Sequence, residues 1–238
     1  MIDTEPGAAK LDFSIVIPAH NEAGYIRRAL ESIRATNWPL ERLEVIVVDN
    51  ASSDATAQVV RAYAGEVPQL ALALLPEPLP GAAHAKNSGA ARARGDILLF
   101  LDADSRVAPD LLTVIAGALR AGEPAGCIPV IADGGDWLDR SFFRLMEFGK
   151  RLFDLRAQMF YCERALFGAG FDAALQLAED QDFLTRLRDQ GVRVGYLRGS
   201  WIATSPRRLH SHPLRLGLVV MFGRWLLAHF GLGRRWRY

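Results

Sequence analysis

Four short runs of β-branched and aliphatic residues recur through roughly the first hundred positions, with helix-like stretches between them. Phe13 to Ile17 is closed by Pro18, Val45 to Val48 ends at Asp49, Leu70 to Leu75 runs into Pro76, Pro78 and Pro80, and Ile97 to Leu101 ends at Asp102. Between them, Asn21 is placed to cap a helix with Ile26, Leu30 and Ile33 on one face, and Asp54 to open a second. A third is expected from about His84 to Arg94, ahead of Gly95. Strands alternating with helices predict an α/β fold, a Rossmann-like, mostly parallel sheet with right-handed crossovers and flanking helices. The loop from Pro76 to Gly81 is long for such a unit, and loops of that kind often carry function.

After Pro129 the rhythm breaks. Trp137 to Arg156 reads as an amphipathic helix, with Leu138, Phe142, Leu145 and Leu152 in register. Phe171-Asp172, a helix from about Glu179 to Gln190 and a strand from Val192 to Tyr196 follow, with no internal repeat. A chain of 238 residues, half of them hydrophobic, suits one large α/β domain.

The formal net charge of +1 hides an asymmetry. From Gly191 onward there are nine arginines and no acid, and taking those nine from +1 leaves −8 on the first 190 residues. Such a basic end points to an anionic partner, a phosphate-bearing ligand or a lipid surface; no nucleic-acid motif is present. Leu214 to Leu232 reads as a helical extension, but its uncharged run from Leu216 to Gly223 is far short of the ~18 residues of a span. Interfacial attachment is expected instead, with Arg215 and Arg224 snorkelling. Cys127 and Cys162 lack metal-ligand spacing, and Met1 to Asp12 lacks the blocks of a signal peptide. A cytoplasmic location, peripheral on the membrane's inner face, is the expectation.

The run Leu98-Leu-Phe-Leu-Asp-Ala-Asp-Ser105 ends a buried strand in two carboxylates, Asp102 and Asp104. Open α/β sheets bind ligands at this edge, and two hard oxygen donors suit Mg²⁺ or Mn²⁺. Alone the tripeptide is weak; an acidic turn before the helix after Pro109 reads equally well. Its neighbours make it specific. Ser14-Ile-Val-Ile-Pro-Ala-His-Asn-Glu22, Val45-Ile-Val-Val-Asp-Asn-Ala-Ser-Ser-Asp54, Ala85-Lys-Asn-Ser-Gly89, Asp102-Ala-Asp104 and Glu179-Asp-Gln-Asp182 occur in that order. The set closely resembles the family 2 glycosyltransferases, which have a GT-A fold that binds nucleotide sugars, over about residues 12–205.

The resemblance implies transfer of a sugar from a nucleoside diphosphate donor with inversion. It implies a domain over 1–205, a nucleotide-sugar half at about 12–120 and an acceptor half at about 121–205, followed by a basic tail at 206–238. Asp104 matches the metal position, with Asp102 on the metal or the donor ribose. Asp49 matches the nucleobase position, against an Asx turn as the plain alternative. Pro18 and Glu22 match positions near the nucleoside, and Lys86 a basic residue facing the nucleotide; a helix-start acid and a solvated lysine are the alternatives. Asp180 matches the general base, with Glu179 beside it and Asp182 supporting the site or binding acceptor; a helix N-terminus also favours such acids. His210 or His212 matches a late metal ligand of related enzymes, with two surface histidines in a basic loop as the plain alternative, and Arg207 and Arg208 match a diphosphate grip. His20 carries no catalytic role. The Gln-x-x-Arg-Trp motif of processive synthases is absent, which favours one or very few sugars per encounter.

The implied partners are a nucleoside diphosphate sugar and an acceptor, lipid-linked or membrane-proximal; the basic tail is expected to meet an anionic membrane surface, with packing on the sheet or in a homodimer as the plain alternative. A sugar-phosphate nucleotidyltransferase and a non-catalytic nucleotide-sugar-binding protein are the alternatives. The first normally has a Gly-rich, Arg-containing loop where Pro18-Ala-His-Asn-Glu22 stands here.

Overall fold

A computed structural model describes residues 11–210 except 157, 176 and 177, together with residue 223. The 214–232 extension, residue 223 apart, and His212 therefore lie outside the described residues. Strand β1 (Phe13–Ala19) is followed by α1 (Ile26–Arg34), β2 (Leu43–Asp49), α2 (Thr56–Glu66), β3 (Ala71–Pro76), α3 (Ala82–Arg92) and β4 (Ile97–Phe100). All four strands run parallel in the order β3-β2-β1-β4, as the alternation predicted. Strand β1 is buried on both sides because its side chains alternate between two cores. Phe13, Ile15 and Ile17 meet α1 and α2, whereas Val16 meets Ala83, Ala85 and Ala90 of α3.

The second half extends the same sheet rather than building another domain. After β5 (Ser105–Val107) and α4 (Leu111–Arg120) come β6 (Ala125–Cys127), β7 (Val130–Ala132), α5 (Trp137–Leu152) and β8 (Phe160–Glu163). Then follow α6 (Glu179–Asp189), β9 (Val194–Tyr196) and β10 (Ile202–Thr204). β8 pairs antiparallel with β4, giving seven strands in the order β3-β2-β1-β4-β8-β6-β9. A small sheet, β5-β10-β7, closes the end beyond Asp104. Phe100 on β4, Phe160 on β8, Phe167, Phe171 and Phe183 on α6 pack ring against ring with centroids 5.0–6.0 Å apart, fixing α6 behind the β4 edge.

Two local expectations need correction. Asn21 does not cap α1, which starts at Ile26. It adopts φ +56°, and its side-chain oxygen accepts from the Ser53 amide at 2.8 Å. A short polar side chain tolerates that left-handed turn, which brings Glu22 into the cleft. The second concerns α5, which ends at Leu152 rather than Arg156; three of the four residues in register on it also face outward. Leu138, Leu145 and Leu152 are exposed, while Asp139 and Lys150 are buried. Polar anchors decide this orientation. Asp139 closes a capping box with Asp136 and meets His210, and Lys150 pairs with Glu147 and donates to Gln158 Oε1 at 2.9 Å. Among the described residues no helix is long and apolar enough to cross a membrane.

The close approach of α3 to the sheet depends on one glycine. A Cβ on Gly89 would lie 2.4 Å from Val16 Cγ1 and 3.1 Å from Val48 Cγ2. Gly89→Ala should therefore destabilise the fold by about 1–3 kcal/mol through overpacking, read as a lower urea midpoint at unchanged slope. An unshifted midpoint would show that α3 can lift off β1 at no cost.

Candidate active site

The sheet's carboxyl edge opens into a cavity of about 490 Å³ lined by Pro18, Glu22, Lys86, Asp102, Asp104, Glu179, Asp180 and Arg208 among others. Each arrives there for a local reason. β1 delivers Pro18 and the turn holding Glu22, β4 ends just before Asp102, and the first turn of α6 carries Glu179 and Asp180. The motif on α3 acts as a staple. Lys86 Nζ lies 2.6 Å from Glu179 Oε1, and Asn87 exchanges two hydrogen bonds of 2.9 Å with the backbone of Phe171. Ser88 donates to Glu77 in the loop after β3.

Charge is tightly organised here. Burial alone would lower the Lys86 pKa, but the carboxylates of Glu179, Asp180 and Asp102 outweigh it and raise it. Burial would likewise raise Glu179, yet the Lys86 ammonium holds it below the usual range. Asp180 is pushed up to about 6 by burial and by Glu179, although the amides of Gln158 and Gln181 donate to it. Burial also raises Asp102, against the pull of Arg208 and Lys86. Among the described residues the Asp102 carboxylate has no hydrogen-bond or ion-pair partner.

Arg207 bridges the other two acids. Its Nε donates to Asp104 Oδ2 at 2.9 Å, its terminal nitrogen pairs with Glu22, and its guanidinium lies 4.2 Å from the Tyr25 ring centroid. Desolvation raises the Glu22 pKa despite that pairing, and Glu22 Oε2 is buried with no hydrogen-bond partner among the described residues.

The model of the family described as "Glycosyl transferase family 2" matches residues 14–176, more than half of the chain. The chain belongs to this family. Glycosyltransferase AglE of Haloferax volcanii is 35% identical over 91 residues, which are 38% of this chain but only 30% of AglE. The chain thus spans less than a third of that relative. Among solved structures, TarS from S. aureus in complex with UDP-GlcNAc aligns with a TM-score of 0.69 at 23% identity, over 82% of this chain and 58% of TarS 1–349. The mannosyltransferase PcManGT from Pyrobaculum calidifontis, in complex with GDP-Man and Mn²⁺, aligns at 0.65 and 23%, over 92% and 70%. At these identities the likeness shows the fold, GT-A.

Not every residue picked from the family's motifs faces the cleft. Asp49 does not line it, and its Oδ1 accepts from the Ser52 amide at 3.2 Å, the Asx-type turn of the plain alternative. Asp182 pairs with Arg186 one turn on, at 2.9 Å, and points along α6. His210 Nε2 lies 3.0 Å from Asp139 Oδ1, and His210 is absent from the cleft wall. Among the described residues no three His, Cys, Asp or Glu side chains are gathered as a metal site.

Conversely, His20, Asn50 and Gln158 line the cavity without having been singled out for it. Asn50 holds the loop after β3, donating to the Glu77 and Leu79 carbonyls at 3.0 and 2.6 Å and accepting from Gly81 N at 2.8 Å. His20 Nδ1 lies 2.7 Å from the Asn50 carbonyl oxygen. The signal available was the long Pro76–Gly81 loop, which needs a polar clamp at the adjacent strand end. Gln158 has φ +71°, and Ala178 before α6 has φ +59°; such strained backbone gathers at functional sites.

Lys86→Met would strand two buried carboxylates, and at pH 7 should cost about 3 kcal/mol. Because Glu179 sits below its usual pKa in the fold, the pair's stabilisation exists above the ordinary carboxylate range and is lost as pH falls through the folded value. The gap between variant and wild-type melting temperatures should therefore narrow below about pH 4. A gap independent of pH would mean that lost packing, not lost charge, sets the cost.

Proposed function

We propose that this domain transfers a sugar from a nucleoside diphosphate donor to an acceptor hydroxyl, with inversion and without processive elongation. The observation that carries the reading is the meeting of Asp102, Asp104 and Asp180 on one cavity at the carboxyl edge of the sheet. The UDP-GlcNAc held by TarS and the GDP-Man held by PcManGT support a donor of this class. A hydroxyl on a lipid-linked or membrane-proximal molecule at the cytoplasmic face is the acceptor class favoured by the basic end of the chain.

Asp180 is the general base in this reading. With its pKa near 6, it is ionised at neutral pH yet basic enough to accept the attacking hydroxyl's proton as the new bond forms. The Gln158 and Gln181 amides orient its carboxylate. Lys86 keeps Glu179 ionised and stays charged near the cleft. Arg208 on the cavity wall supplies a planar donor set that suits a diphosphate, with Arg207 beside it.

Asp102 fits a divalent cation, Mn²⁺ or Mg²⁺, as a carboxylate disfavoured by burial and with no hydrogen-bond or ion-pair partner among the described residues, and Asp104 would join it by exchanging Arg207 for the cation. Such a cation would supply Lewis-acid stabilisation of charge on the leaving diphosphate. His210 is not included in that set, since Asp139 holds it.

A screen of UDP-, GDP- and dTDP-sugars, scored by thermal stabilisation and by release of nucleoside diphosphate, tests the reading directly. Release of pyrophosphate would indicate a nucleotidyltransferase, and neither binding nor turnover a non-catalytic protein. Asp104→Ala should leave the fold intact and cost ~2–4 kcal/mol of transition-state stabilisation. Turnover that is unchanged and still metal-dependent would remove Asp104 from the site. Asp180→Asn should retain donor affinity but slow transfer at least ~10²-fold, and wild-type kcat/KM should rise as pH increases through about 6. Persistence of that rising limb in Asp180→Asn would assign it to another group.

A further inference from the structure

Helix α5 is built inside out. Its buried side chains include Asp139 and Lys150, while Trp137, Leu145, Phe148 and Leu152 are each 63–67% exposed. At 3.6 residues per turn those four fall within an arc of about 80°, and Arg140, Arg144 and Arg151 fill the adjoining arc of about 40°. All three arginines are exposed, and none forms an ion pair among the described residues. An apolar stripe edged by unpaired cations is the pattern of a helix lying in a lipid interface. Beside it, between β7 and α5, runs a groove of about 470 Å³ lined by Ile131, Phe143 and Phe148 and by the same three arginines. Val130 and Phe143 line both this groove and the cleft.

We infer that α5 is the surface by which the protein docks on an anionic lipid bilayer. Charge complementarity selects this occupant. Residues 211–238 carry five arginines and no acid, so that segment would bring cations against the arginine stripe. A second copy meeting α5 across a twofold axis would oppose the stripe to itself. Anionic headgroups satisfy the arginines while the acyl boundary takes the aromatic and leucine side chains. Docking in this way sets the shared wall of groove and cleft at the membrane surface. The inference extends the membrane-proximal reading of the acceptor, and its test reads lipid binding without turnover, so either can fail alone.

The full chain should co-sediment with vesicles of phosphatidylcholine mixed with phosphatidylglycerol, weakly with phosphatidylcholine alone, and less as salt rises. Replacing Arg140, Arg144 and Arg151 together by Gln should lower the partition constant about 100-fold. A second measurement does not depend on that variant folding. The native cysteines are buried, so a lone exposed cysteine can carry an environment-sensitive fluorophore. The label on Phe148→Cys should shift to the blue when anionic vesicles are added, and the label on Gln58→Cys of α2 should not. Three results overturn the proposal: no binding to anionic vesicles at low salt, binding that leaves the Phe148 label unshifted, or a shift produced by raising protein concentration without lipid.

Discussion

The buried pair between Lys86 on α3 and Glu179 on α6 is the contact on which the cleft depends. One partner belongs to the parallel half of the sheet, the other to the segment after the antiparallel return. Their attraction neutralises two charges that burial would otherwise expel, and it leaves Asp180, next in sequence, as the acid whose pKa absorbs the remaining strain of crowding. The Asn87 clamp on Phe171 and the ring cluster behind it make the same join in uncharged form. A single helix motif thus locks the edge of β4 to the start of α6.

Most of the parallel core was legible because short continuous apolar runs and their polar ends constrain each strand independently. Ile15, Val16 and Ile17 face two cores by alternation alone. Ordered motifs likewise located Glu22, Lys86, Asp102, Asp104, Glu179 and Asp180, and the family likeness pointed to Arg208; all of them line the cavity. What spacing could not reveal was direction. Asp49 and Asp182 sit at the right sequence positions, but a turn amide and a neighbouring arginine claim their carboxylates. The same limit applied to α5, where helical period identified an apolar face without saying which side of the fold it meets. Period reports that a stripe exists; the buried partners of Asp139 and Lys150 decide which way it looks.

Arg207 shows how loops after the sheet complete the electrostatics. It reaches back across the whole fold to Asp104 and Glu22, residues from the ends of β4 and β1. Sequence distance hid this bridge, since nothing local to Pro206-Arg-Arg208 names its carboxylates. The loop after β3 is tied in similar fashion by Asn50, whose side chain makes three hydrogen bonds to it.

The continuity of the seven-stranded sheet has a mechanical consequence. Both walls of the cleft hang from one hydrogen-bonded ladder, joined where β4 meets β8 through Ile97, Leu98, Leu99 and Phe100. A hinge between the two walls would have to tear that ladder, so they cannot swing as separate bodies. Reactant exchange is left to the connecting segments that rim the edge: the stretch between β3 and α3, the turn before α6, and the residues following β10. Under the proposed activity, selectivity can therefore diverge by altering these rims alone, while the sheet stays constant.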